Sequence, residues 1–209
     1  MTEPARSRKS QELADHWNDR YENNPASKLS WFQESSPEVE FVKVNVGKAT
    51  PVIDIGGGLS PLVHQLIDEE FTDLPVVDVS EFALEQGQRK AEGRPVEWIQ
   101  SDLRDWTPTR MYGLWHDRAV FHFLIDKEDQ ERYLLMAAEA LVPSGYLILG
   151  TFSENGPQSC SGLPVARHSI DELTAALAGD FTVIDSHTQE HATPSGGVQE
   201  FAWMHAVRN

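Results

Sequence analysis

Cysteine occurs once in this chain of 209 residues, at Cys160, so no internal disulfide can form. One thiol and eight scattered histidines offer no cluster with structural-zinc spacing, and no metal is expected. Basic side chains are scarce, 17 against 33 acidic ones, and the resulting formal charge of −16 opposes approach to nucleic acid phosphates. Long apolar runs are absent, since nothing approaches the ~20 residues needed to cross a bilayer. Residues 1–10 lack the hydrophobic core of a secretory signal, which makes the cytoplasm the expected location. With 40% hydrophobic residues, the length suits one globular domain.

What is present is organised around residues 51–61. Val52, Ile53 and Ile55 read as a buried strand, glycines follow at 56, 57 and 58, and Ser60-Pro61 supplies a helix N-cap and first-turn proline. A strand, tight turn and helix in this order aim backbone N–H groups and a positive helix end at a ligand above the strand. A dinucleotide fingerprint would place a third glycine at position 61, where Pro61 stands, so a nicotinamide oxidoreductase is disfavoured. An acid, Asp54, precedes the glycines instead. Leu74 to Val79 form a second strand carrying Asp78, and Val96 to Asp102 a third strand followed by an acid.

Helix patterns alternate with these strands. Ser10 is expected to cap a first helix through Leu13, Trp17 and Tyr21, with residues 1–9 as a mildly basic tail. Trp31 lies in an aromatic stretch before a second helix from Ser36-Pro37 to about Val46. Leu62 to Ile67 and Phe82 to Ala91 continue the pattern. Residues 111–116 form a fourth strand leading into His116-Asp117-Arg118 and Phe121-His122. Asp126 caps a long helix ended by Pro143-Ser144-Gly145, and Tyr146 to Phe152 form a fifth strand. A polar loop from Ser153 to His168 carries Cys160 and Arg167, Ser169 caps the last helix, and two strands near residues 181–185 and 198–207 close the chain. Glu190-His191 falls in the expected connection between them.

Asp54-x-Gly56-x-Gly58, with Asp78 and Asp102 at successive strand ends, resembles motif I and the following acids of the class I S-adenosylmethionine (SAM) dependent methyltransferases. The resemblance spans nearly the whole chain. It implies an α/β fold with one Rossmann-like, doubly wound, seven-stranded sheet, mostly parallel with an antiparallel C-terminal strand pair. Residues 1–50 would form an N-terminal helical cap and residues 51–209 the cofactor-binding core. SAM would be the cofactor and S-adenosylhomocysteine the product. The residues implied for binding it are Asp54, Gly56, Gly57, Gly58, Asp78 and Val79 with Asp102 and Leu103, and Tyr21 and Trp31 from the cap. The run at Asp117-Arg118 resembles motif IV and is similar to an Asp-Arg pair of thiopurine and thiol methyltransferases. On that footing Asp117 and His122 are candidate proton acceptors and Arg118 and Phe121 candidate acceptor contacts; Cys160 and Arg167, in the long loop after the fifth strand on the same edge of the sheet, are further candidate acceptor contacts. The expected reaction is methyl transfer to a small molecule, a thiol or other sulfur nucleophile foremost. A lysine of a basic protein is the alternative acceptor, and a SAM-binding regulatory module without catalysis the alternative class.

Overall fold

A computed structural model describes residues 7–209. Seven strands make one sheet: β1 Val52–Ile55, β2 Leu74–Asp78, β3 Val96–Gln100, β4 Tyr112–Arg118, β5 Leu141–Phe152, and, after a hairpin of β6 Ser159–Cys160 and β7 Leu163–Pro164, β8 Phe181–Ala192 and β9 Val198–Arg208. Their order is β3-β2-β1-β4-β5-β9-β8. The first five pair in parallel, and β9 runs antiparallel between β5 and β8. The helices are α1 Arg8–Glu22, α2 Glu38–Asn45, α3 Pro61–Asp68, α4 Glu81–Lys90, α5 Lys127–Ala140 and α6 Ile170–Leu177.

Alternation along the strands builds two apolar layers, as expected for a sheet covered on both faces. Ile53, Trp115, Leu147 and Met204 face α5 and α6, whereas Val52, Leu114, Ile148 and Trp203 face α2 and α3. The strand order reverses between β1 and β4, and open sheets of this kind bind ligands above the carboxyl ends at that point.

Several local expectations are corrected. Ser7, not Ser10, caps α1, accepting from the Ser10 N–H; Ser10 is buried and donates its hydroxyl to Asp105 at 2.6 Å. Of the expected basic tail, residues 1–6 lie outside the described residues and residues 7–9 are the cap and first turn of α1. Within residues 1–50, α2 packs on the sheet through Val39 and Val42 and is no part of a cap. Residues 141–145, expected to end a helix, already belong to β5. The loop from Ser153 to His168 contains the β6–β7 hairpin. Glu190 and His191 are inside β8, because its pairing with β9 continues to Ala192 opposite Val198.

Candidate functional site

β1 ends at Ile55, and Gly56 turns the chain with φ +68°, a conformation that favours glycine. Glycine is needed at 58 for space: a Cβ there would lie 2.7 Å from the Ala83 Cβ and 2.9 Å from Asp78 Oδ2. At 57 a Cβ would lie 2.6 Å from Asp54 Oδ2. Ser60 accepts from the Leu62 N–H and starts α3, with Pro61 in its first turn. The turn is therefore a cradle with open backbone and a helix N-terminus beside it.

Asp78, at the end of β2, is 6% exposed and accepts from the N–H groups of Gly58 at 3.1 Å and Ser80 at 2.9 Å. Burial raises its pKa to about 6, against these hydrogen bonds and with the charge of Asp54 adding to the rise. The Ser80 hydroxyl in turn donates to Asn18 Oδ1 at 2.8 Å, so α1 is tied to the acid through α4's cap. Asp102 lies beyond β3 and is clamped by Arg104, whose Nη2 donates at 2.6 Å and whose Nε reaches both oxygens. Burial opposes ionisation of Asp102, but Arg104 outweighs it and holds the carboxyl below its usual range.

These groups open onto a cavity of about 390 Å³ above the carboxyl edge of the sheet. Gly56, Asp78, Val79, Asp102 and Leu103 line it from the sheet. Leu13, Trp17, Tyr21 and Trp31 line it from the N-terminal segment, and Cys160, Leu163 and Pro164 from the hairpin. Trp17 packs edge-on to Trp31 at 5.6 Å and to Phe123 at 5.2 Å, which joins α1 to the wall beyond β4. Burial and the neighbouring Asp78 and Cys160 push the Tyr21 phenol well above its ordinary value. Burial raises the Cys160 thiol as well.

Arg118 ends β4 between this cavity and a smaller chamber of about 50 Å³ beside the glycine turn. Its Nη1 donates to the Trp31 carbonyl at 2.9 Å and its guanidinium lies 5.2 Å above the Phe201 ring. Nε and Nη2 are buried with no hydrogen-bond partner. Burial lowers the guanidinium pKa to about 10, still charged at neutral pH.

The two residues expected to take a proton do not reach the cavity. Asp117 is 0% exposed and accepts from Tyr133 Oη at 2.5 Å and from the N–H groups of Val120 at 3.0 Å and Phe121 at 3.3 Å. It secures a turn in which Ala119 takes φ +69°, a conformation costly for a residue with a Cβ. His122 is 0% exposed, stacked on Phe152 at 4.0 Å, and neither ring nitrogen has a partner. Burial lowers its pKa to about 3, so it stays neutral. Phe121 is turned into the core beside Tyr133, and Arg167 is exposed and donates to the Glu154 and Gly156 carbonyls. Phe121 and Arg167 therefore stand outside the cavity, whereas Arg118 and Cys160 line it.

Arg104 and His116 were not singled out from the sequence. Arg104 follows Asp102 by two residues, close enough to signal a pair. His116 faces Asp54 across the β1–β4 register, information that strand order alone supplies.

No protein-family profile matches the sequence, and no curated protein is similar to it. Solved structures do match in fold. The structure reported for the conversion of a disulfide bond into a thioacetal group during echinomycin biosynthesis superimposes with a TM-score of 0.73 at 15% identity, over 94% of this chain and 91% of that one. Magnesium protoporphyrin IX methyltransferase from Synechocystis PCC 6803, solved with bound SAM, gives 0.71 at 14% identity over 99% and 100%. The 1,6-didemethyltoxoflavin-N1-methyltransferase of Burkholderia thailandensis, with its substrate and S-adenosylhomocysteine, gives 0.68 at 17% identity over 100% and 93%. The seven-stranded sheet with its antiparallel C-terminal strands is thus the fold of the class I SAM-dependent methyltransferases.

Proposed function

We propose that this protein is a SAM-dependent methyltransferase acting on a small molecule in the cavity above β1 and β4. The observation that carries the reading is the joining, in one cavity, of the side-chain-free glycine turn with the buried acids of β2 and β3. The donor set suits the cofactor. Asp78 would accept from two ribose hydroxyls, Val79 and Leu103 would flank the adenine near Asp102, and Tyr21 and Trp31 would cover the ligand from above. When bound, SAM supplies a methyl group made electrophilic by its positive sulfur. The chain's own part is to align the acceptor and exclude water, which the aromatic wall of Trp17, Trp31 and Phe123 and the hairpin lining the cavity favour. Walls on these sides also favour a small acceptor over a lysine of a protein chain.

A sulfur nucleophile is the acceptor we favour. With Asp117 and His122 turned into the core, the cationic group beside the end of β4 is the guanidinium of Arg118, a stabiliser of anions and no base. Of the carboxylates at the start of α5 that line the cavity, Asp126 is exposed and Asp129 is half-buried and already paired with Arg132 at 2.7 Å. An acceptor that arrives already ionised meets these conditions, and a thiol, with a reference pKa near ~8.5, ionises far more readily than an alcohol. The structural neighbour from echinomycin biosynthesis is likewise concerned with a sulfur group.

Calorimetry tests the cofactor. S-adenosylhomocysteine is expected to bind and NAD not, and Asp78→Ala should weaken binding by about 1.5–3 kcal/mol, the range for hydrogen bonds to a charged group. An unaltered affinity would remove Asp78 from the ribose.

Asp78 also gives a signed pH prediction. Its native pKa of about 6 exceeds the ordinary 3.8 of an unfolded chain, so between these values the unfolded state has already released the proton that the native state keeps. Its contribution to stability is present at low pH and is lost as pH rises from about 4 to about 6, by ~1–3 kcal/mol. Urea denaturation of ligand-free wild type and Asp78→Asn should therefore show their difference moving in favour of the variant over that interval. A constant difference would contradict the raised pKa.

A further inference from the structure

The chamber of about 50 Å³ beside the glycine turn shares Gly56, Tyr21, Trp31 and Arg118 with the main cavity and adds two buried ionisable side chains, Asp54 and His116. These two are register partners on the adjacent parallel strands β1 and β4. His116 Nδ1 lies 2.7 Å from Asp54 Oδ1, with both residues almost fully buried at 2% and 3% exposure. Asp54 Oδ2 is equally buried, yet no donor reaches it. A buried carboxylate oxygen without a donor costs stability, and its persistence in a site points to a donor brought by the ligand.

Residue 57 is where a side chain would otherwise cover that oxygen, and it is glycine. We infer that His116 is a positioning residue: by holding one oxygen of Asp54 it aims the other at the ammonium group of the cofactor's amino-acid end. This rests on the cofactor reading above. A ligand with its ribose on Asp78 extends its other end towards Gly56, where the two spaces join, and an ammonium group presents three donors and a positive charge to Oδ2. His116 suits the task in either charge state, since Nδ1 carries a proton in the imidazolium and in one neutral tautomer. Burial works against the imidazolium, and the Asp54 carboxylate outweighs it and raises the pKa.

The test compares S-adenosylhomocysteine with 5′-methylthioadenosine, which has the same nucleoside and sulfur but no amino-acid end. In calorimetric titrations, His116→Phe should weaken the first by roughly tenfold or more and leave the second within about twofold, because only the first carries the ammonium group. His116→Asn, which keeps an N–H donor near the Nδ1 position, should recover most of the loss. Equal weakening of both ligands, or unchanged affinity for both, overturns the inference, the first outcome marking His116 as part of the scaffold only. If His116→Phe does not fold, His116→Leu is read by the same criteria. Wild-type protein that binds neither ligand would instead bring down the cofactor reading itself.

Discussion

Asp117→Ala should lower the stability of the protein by about 3–5 kcal/mol, the range for breaking a buried network and leaving its donors unpaired. Three donors lose their acceptor at once: Tyr133 Oη and the N–H groups of Val120 and Phe121. Two of the three hold the turn around Ala119, whose positive φ depends on its surroundings. Tyr133 also accepts from Trp115 Nε1 at 2.9 Å, so the loss propagates to a fully buried indole of the core. Asp117→Asn, which retains one acceptor oxygen, should lose less. Urea denaturation of both variants checks this, with turnover measured beside it. Full stability with abolished turnover would restore Asp117 as a proton acceptor and show that the turn opens during the reaction.

Arg118→Met should reduce kcat/KM for methyl transfer to thiols by roughly 10²-fold, the equivalent of losing hydrogen bonds between a guanidinium and an anion. Stability should hold, since the one bond lost, Nη1 to the Trp31 carbonyl, is offset by no longer burying a charge with two unpartnered nitrogens, and the thioether is a comparable apolar filler on Phe201. Activity assays and thermal unfolding check the two halves separately. Because Arg118 borders both the cavity and the chamber, the affinity for S-adenosylhomocysteine is the deciding control. A fall in that affinity by the same factor would move Arg118 from the acceptor to the cofactor's carboxylate.

Much of the architecture was legible because local signals and tertiary structure agree. Ser60-Pro61 starts α3 where the cap rule puts it, and Ser169 with Glu172 forms a full capping box. The short apolar runs of β1 and β5 suit strands covered on both faces, and their side chains divide between the two apolar layers. The start of α1 was missed because Ser7 and Ser10 are equivalent as caps in isolation, and the choice is made by Asp105, far away in the chain. The inward turn of Asp117 and His122 was not legible for a different reason. Both flank an irregular turn, and the direction of a side chain there follows from the twist at Ala119, which no periodicity encodes. The Asp54–His116 pair was hidden because two strands distant in sequence had to be brought side by side first.

The tie between α1 and the sheet bears on the order in which this protein acquires its shape. Asn18 finds its donors on Ser80 and Phe82 at separations of 62 and 64 residues, and Ser10 finds Asp105 at 95. The helix leaves the ribosome before any strand exists to receive it, and closing loops of this length costs entropy that only the finished receptor surface repays. α1 therefore precedes in synthesis every strand it is fastened against, and is among the last elements to dock. Its side-chain hydrogen bonds reach a loop at Asp105 and the start of α4 at Ser80 and Phe82, so the helix that lines one wall of the cavity is fastened to the ends of strands and to none of their ladders.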